Sequence, residues 1–239
     1  MKELKYIIGL TDVGKYNKIS NKAIIKILEN IGGMESEEAG YGLNEIETTY
    51  LSWILLAWKI KIIKRPKYNE EITAKTWARE ANKVFTYREY QIFDANGELC
   101  VIATSKWTLI DIRTLKLASI SDEVISKYEF YNTSVFENGT IDKLKEPLTQ
   151  ISQIDYKVLR SQIDVNQHVH NLYYLDFAYE ALPEEVYNKE EANNIEIMYK
   201  KQIKLDDKIM CIYAKENNAD IVTIKSEDKK ILHAIVKLY

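Results

Sequence analysis

The chain has 239 residues, 46% of them hydrophobic, and a formal net charge of −3. That length and apolar content support one large domain or two small ones around a sizeable core, and they exclude a disordered chain. The weak negative charge excludes the global basic field that nucleic acid requires, and the 3 prolines and 8 glycines leave no room for low-complexity segments.

Met1 to Leu10 lacks the uninterrupted apolar run of a signal peptide. No stretch of about 18 apolar residues is present to span a membrane. Cys100 and Cys211 stand far apart without metal-ligand spacing and read as buried free thiols. The chain is therefore expected in the cytoplasm, with no metal and no organic cofactor.

The first helix is announced by Ile24, Ile27, Leu28 and Ile31, which share one face at helical spacing. Ser20 or Asn21 caps its start and Gly32-Gly33 should end it. A long strand-like stretch, 45–63, closes at Arg65-Pro66. Strands are expected at 71–78, 84–93 and 99–111, with a hairpin turn at Asn96-Gly97 between the last two. Trp53, Trp58, Trp77 and Trp107 read as core.

The second half repeats this order. An extended lead-in, 154–165, precedes a helix whose face is Leu172, Leu175, Tyr179 and Leu182, and Pro183 stops it. Strands follow at 195–203, 209–214, 221–225 and 231–238. His233 lies mid-strand and reads as structural. Asp12-Val13 echoes Asp164-Val165, and the run 69–72 echoes 206–209, so the chain reads as a duplication. Its parts are a first unit at 1–118, a connection at 119–150 and a second unit at 151–239. A helix followed by four or five antiparallel strands is buried only if the sheet wraps around it. Two such units with their sheets joined edge to edge make a double hotdog, an α+β fold.

The residues most suited to chemistry lie at the end of the second lead-in: Asp164, Asn166, His168, His170 and Asn171. With Trp53-Ile54-Leu55, Arg65-Pro66, Thr76-Trp77, Tyr87-Arg88-Glu89, Asn96-Gly97-Glu98 and the run 103–107, this segment resembles the acyl-acyl-carrier-protein thioesterases of plants and bacteria. The resemblance covers nearly the whole chain. It implies a double hotdog that hydrolyses fatty acyl thioesters carried on acyl carrier protein and so terminates fatty acid synthesis. The first unit would shape the acyl pocket, since Gly14 and Tyr16 stand where the second unit has Asp164 and Asn166. The resemblance further implies that Asp164, Asn166 and His168 occupy catalytic positions. The family's glutamate, in a Y-R-R-E pattern, is here Gln202 in Tyr199-Lys200-Lys201-Gln202. Ile203 stands where a cysteine often follows, so no cysteine nucleophile is expected.

Thioester hydrolysis needs a positioned water, a base and an oxyanion site. A histidine with an ordinary pKa near 6.5 suits the base, so His168 is the first candidate. Asn166 can hold water or the carbonyl oxygen but moves no proton. Asp164 could fix the imidazole or act as base itself. At period two these side chains would share one strand face, and the amides of the next helix start would face the oxyanion. Glu196 shares the face of Gln202 by parity but lies too far along the strand to replace it. His170 reads as a surface or supporting residue and Asn171 as a helix-start residue.

Two basic clusters could dock an acidic carrier protein. One is Lys59, Lys61, Lys64, Arg65 and Lys67; the other is Lys200, Lys201 and Lys204. Competing readings are a hotdog thioesterase acting on coenzyme A esters and a non-catalytic fatty-acyl binding protein. A dehydratase is disfavoured, because Gln202 offers no carboxylate. A homodimer of double hotdogs is compatible with the sequence.

Overall fold

The computed structural model describes residues 1–79 and 81–239. It divides into two units, Met1–Ile141 and Asp142–Tyr239, so the boundary falls inside the segment that reads as a connection. The first unit runs β1 (Lys2–Ile7), α1 (Asn21–Glu38), a single-turn α2 (Ile46–Thr49), β2 (Leu51–Ile62), β3 (Glu71–Ala78), β4 (Thr86–Asp94), β5 (Leu99–Asp111), β6 (Lys116–Ala118) and α3 (Asp122–Ser126). The second runs β7 (Ser152–Lys157), α4 (Tyr173–Ala181), α5 (Glu184–Tyr187), β8 (Asn194–Tyr199), β9 (Lys208–Glu216), β10 (Ala219–Ser226) and β11 (Leu232–Leu238).

Within the first unit the strand order is β1-β3-β4-β5-β2, with β6 beside β5. Within the second it is β7-β9-β10-β11-β8, the same order, and the pairings are antiparallel. Each sheet wraps a helix. Ile24, Ile25, Ile27, Leu28 and Ile31 of α1 are buried against the first sheet, and Tyr174, Leu175, Phe177, Ala178 and Ala181 of α4 against the second. Each fully buried aliphatic or aromatic side chain contributes about 1.5–3 kcal/mol to this packing. The chain is a double hotdog.

Several local expectations are corrected. Helix α1 does not stop at Gly32-Gly33 but continues to Glu38. Gly32 serves close approach instead: a Cβ there would lie 3.0 Å from the Tyr90 hydroxyl and 3.3 Å from Arg88 Cδ. The stretch 45–63 does not begin as a strand. Thr48 and Thr49 hydroxyls donate to the Glu45 carbonyl at 3.0 and 2.7 Å, winding one helical turn before β2. The buried face of α4 centres on Tyr174 and Phe177, rotated from the expected one. Strand β8 ends at Tyr199, before Gln202. There the His233 carbonyl accepts the N–H groups of both Lys200, at 2.8 Å, and Lys201, at 3.3 Å.

The motif residues of the first unit hold structure together. Arg88 pairs with Glu35 of α1. Glu89 is fully buried and accepts from the Thr104 hydroxyl at 2.6 Å and the Val135 N–H at 3.2 Å. Arg79 Nη1 lies 3.2 Å from Glu89 and the Arg79 guanidinium also binds the Gly139 carbonyl. The Trp77 indole N–H donates to the Thr133 carbonyl at 2.9 Å. Segment 133–139 is thereby fastened to the first sheet.

Candidate active site

Asp164 to Asn171 is not an extended strand. Val165 and Asn166 form a turn and Gln167 sits at φ 62°. Asp164 Oδ1 accepts the backbone N–H of Asn166 at 2.8 Å and of His168 at 3.2 Å. The Asp164 N–H donates to the His168 carbonyl at 2.8 Å. A short acidic side chain that captures its own downstream amides folds the strand back on itself. The expectation that Asp164, Asn166 and His168 share one strand face is therefore overturned. In this geometry Asp164 holds the turn through the backbone, and its carboxylate does not bind the imidazole.

His168 leaves this turn half-buried, bridged antiparallel to Lys204. The Val169 N–H donates to the Ile203 carbonyl at 2.8 Å. This pairing lays the backbone of Gln202–Lys204 alongside His168–Val169. The His168 Nδ1 atom is enclosed and has no hydrogen-bond partner among the described residues. Leaving such an atom unsatisfied costs about 1–3 kcal/mol, so it calls for a partner that the described residues do not supply.

Most amides at the helix start are already used. The His170 N–H donates to the Gln162 carbonyl at 2.9 Å. The Leu172 N–H donates to His170 Nδ1 at 3.3 Å, so His170 acts as a cap. The N–H groups of Tyr173, Tyr174 and Leu175 donate to the carbonyls three residues back, at 3.0, 3.3 and 3.3 Å. Of the amides from 170 to 175, only that of Asn171 lacks an acceptor among the described residues. The expected supply of free helix-start donors shrinks to this one.

The remaining predicted residues are at the surface. Asn166, Gln202, Lys200, Lys201 and Lys204 are exposed. Glu196 is buried elsewhere, accepting from the Tyr239 hydroxyl at 2.7 Å with Lys237 Nζ 3.6 Å away. Tyr174 is a residue the sequence reading missed. Its hydroxyl accepts the Ile203 N–H at 3.2 Å. Burial, with the Asp164 and Asp207 charges adding to it, raises its pKa, so the phenol stays protonated. Its neighbour Tyr199, with rings 5.2 Å apart, donates to the Asn171 carbonyl at 3.3 Å.

Among the described residues no cluster of His, Cys, Asp and Glu is arranged to hold a metal ion. Both cysteines are buried, with thiols pushed up by burial to about 11 for Cys100 and about 12 for Cys211. Neither is a nucleophile in this state.

Two family models match the chain: the acyl-ACP thioesterase N-terminal domain over residues 2–128 and the acyl-ACP thioesterase C-terminal domain over 145–236. An oleoyl-acyl carrier protein thioesterase, chloroplastic, from Coriandrum sativum is 27% identical over 238 residues, covering 92% of this chain and 64% of the relative. Oleoyl-acyl carrier protein thioesterase 1 from Arabidopsis thaliana is 27% identical over 85% of this chain and 60% of its own length. The chain thus spans less than two thirds of these relatives. Among solved structures, an acyl-ACP thioesterase from Bacteroides thetaiotaomicron has TM-score 0.86 at 20% identity, covering 99% of this chain and 96% of that one. The 12:0-ACP thioesterase from Umbellularia californica has TM-score 0.87 at 17% identity, with coverage of 99% and 95%. These structures share the fold, and the family models extend over both units: this chain belongs to the acyl-ACP thioesterase family.

Proposed function

We propose that the protein hydrolyses fatty acyl thioesters of acyl carrier protein, releasing the free acid and the carrier thiol, with His168 as base. The observation that carries this reading is the enclosed His168 Nδ1, which no described residue partners, on the same turn and three residues before the Asn171 N–H, which also lacks an acceptor among the described residues. A water held on that nitrogen attacks the thioester carbonyl carbon and gives its proton to the imidazole. The carbonyl oxygen becomes an oxyanion, received by the Asn171 N–H, where one such donor contributes about 3–4 kcal/mol. Collapse breaks the C–S bond, and the proton passes from the imidazolium to the departing thiolate. General base catalysis of this kind supplies roughly 10²–10⁴ in rate. Asn166 and Gln202, both exposed at this edge, orient water or substrate without taking protons. The first unit shapes the acyl pocket.

The second basic cluster suits the carrier protein better than the first, where of five cations only Lys61 and Lys67 are exposed and make no ion or ring pair among the described residues. Lys59 lies 4.8 Å from the Phe136 ring centre. Lys64 is paired at 2.6 Å with both Asp94 and Glu98. Arg65 donates to the Ile19 carbonyl at 3.0 Å and to Asn21 Oδ1 at 2.8 Å. Lys200, Lys201 and Lys204 are exposed and make no ion pair among the described residues. Free cations next to the site steer an acidic partner to it. A cytoplasmic location agrees with the two free thiols, and no helix among the described residues is long and apolar enough to cross a membrane.

Thiol release from acyl-carrier thioesters of several lengths, run beside the matching coenzyme A esters, tests this reading. Faster turnover of the carrier-bound series is expected. Equal turnover of both series would replace the carrier by coenzyme A as the partner. Tight acyl binding without thiol release would make the protein a carrier of acyl chains instead.

A further inference from the structure

We propose that His233 is a positioning residue for the Gln202–Lys204 segment of the site, a role that rests on the functional reading above. The first observation is local. His233 sits at the start of β11, 4% exposed, and the β11–β8 register places it where β8 ends. Its carbonyl accepts the N–H groups of Lys200 and Lys201. Its ring Nδ1 lies 2.9 Å from the Lys201 carbonyl. A carbonyl only accepts, so Nδ1 carries the proton and donates. One residue thus grips three successive peptide units leading into Gln202, and the chain turns there into the segment that pairs with His168 and Val169.

The second observation comes from the other unit. At the matching place Cys100 does the same backbone work: its carbonyl accepts the N–H groups of Ile63 at 2.8 Å and Lys64 at 3.1 Å. Its side chain does not reach across. Cys100 Sγ faces the Glu98 carbonyl, 3.5 Å away. The doubled backbone acceptor is therefore a property of the fold, and the ring hydrogen bond is an addition found in the unit that carries His168. In the first unit the following segment is secured by the Arg65 guanidinium on the Ile19 carbonyl and Asn21. Gln202 at the corresponding position has no such reach and is exposed. The histidine ring replaces a clamp that would otherwise occupy the site itself.

His233→Cys installs the residue of the first unit and removes only the ring bond. His233→Asn keeps an N–H donor near the Nδ1 position. Displacement of a site strand by an ångström costs up to about 10²-fold in turnover, so His233→Cys should lose about tenfold or more in kcat with KM within about twofold. His233→Asn should recover kcat to within about threefold of the wild type. Wild-type kcat in His233→Cys, or equal losses in both variants, overturns the proposal. Amide hydrogen exchange of Val169, whose acceptor is the Ile203 carbonyl, supplies a readout without turnover. It should quicken about tenfold in His233→Cys and return in His233→Asn; unchanged exchange also overturns the proposal. If the wild type releases no thiol from any acyl thioester, the functional reading fails and the exchange measurement alone decides the positioning role.

Discussion

The stretches Asp12–Asn21 and Gln162–Asn171 are one loop built twice with different chemistry. Tyr6 donates to Asp12 at 2.6 Å as Gln162 donates to the Tyr156 hydroxyl at 2.8 Å. The Gly9 N–H donates to Asp12 at 2.9 Å, and the Leu159 N–H to Gln162 at 2.8 Å. The Gly14 N–H reaches the Lys18 carbonyl as that of Asp164 reaches His168. Asn17 and Gln167 both sit in the left-handed region, at φ 56° and 62°. Val13 bridges Ile19 as Ile163 bridges Val169, and Lys18 bridges Lys67 as His168 bridges Lys204. The two scaffolds share these bonds and differ in one backbone detail, Tyr16 at φ 66° where Asn166 has no positive φ. The side chains do: Gly14, Tyr16, Lys18 and Arg65 stand where the second unit has Asp164, Asn166, His168 and Gln202. The first copy is secured by charge, with Lys26 on the buried Asp12 and Arg65 on Asn21. The second leaves a ring nitrogen and an amide unpaired among its described neighbours. Under the proposed mechanism, this duplication separates holding from reacting.

Exchanging residues between the copies should break that division. Asp164→Gly removes the acceptor of two backbone amides and should cost about 1–3 kcal/mol of stability and roughly 10²-fold in kcat as His168 loses its placement. The reverse change, Gly14→Asp, fits sterically, since a Cβ there would lie 3.6 Å from Ser20 Cβ; it should leave activity unchanged. Urea unfolding and thiol release check both, and equal effects in the two copies would erase the distinction between them.

Charge reversal sharpens the contrast at the surface. Replacing Lys200, Lys201 and Lys204 together by Glu should raise KM for the carrier-bound substrate about tenfold and flatten its salt dependence. Reversing Lys64 and Lys67 should change KM less than about twofold. A KM effect confined to the first unit would move the docking patch there.

The smallest effect concerns Asp12. Burial pushes its carboxyl up, but hydrogen bonds from Lys26, Tyr6 and Gly9 outweigh burial and hold it below the usual carboxylate range. A lowered folded pKa gives stability that is fully present above the ordinary value near 4 and is lost as pH falls through the lower folded value. Asp12→Asn, neutral like Gln162, should lose about 1 kcal/mol at pH 7 and less of its stability on acidification. Unfolding curves at pH 7 and pH 3 test it; parallel losses in both proteins would contradict it.

Much of the fold was legible because hydrophobic period and turn residues act locally. Apart from β1, which the reading of the first half did not include, the order of helix and strands in each half, the Asn96-Gly97 hairpin and the echo of 69–72 in 206–209 follow from neighbouring residues. Asn69 and Asp206 indeed share a left-handed turn, at φ 66° and 70°. The Asp12-Val13 echo was out of register by two, because Asp12 corresponds to Gln162 and Asp164 to Gly14. Polarity repeats less faithfully than backbone bonds do. The concentration of polar groups at Asp164–Asn171 pointed to the candidate site, but its shape was hidden: an aspartate that captures its own amides converts a strand into a turn without changing composition. Gly32 looked like a helix stop because its reason, the approach of Tyr90, lies on another element. Tyr174 was passed over, and His233 read only as structural, for the same reason, since their partners Ile203 and Lys201 are about thirty residues away in sequence.

We propose that the chemistry belongs to one copy of the loop, through His168. Single-turnover thiol release from an acyl-carrier thioester, with His168→Ala and Lys18→Ala compared against the wild type, tests it most directly. The account predicts that the release rate falls about 10²–10⁴-fold in His168→Ala, with substrate affinity within about threefold, while Lys18→Ala releases thiol at the wild-type rate. A His168→Ala protein that keeps the wild-type rate, or a Lys18→Ala protein that loses it, would contradict the account.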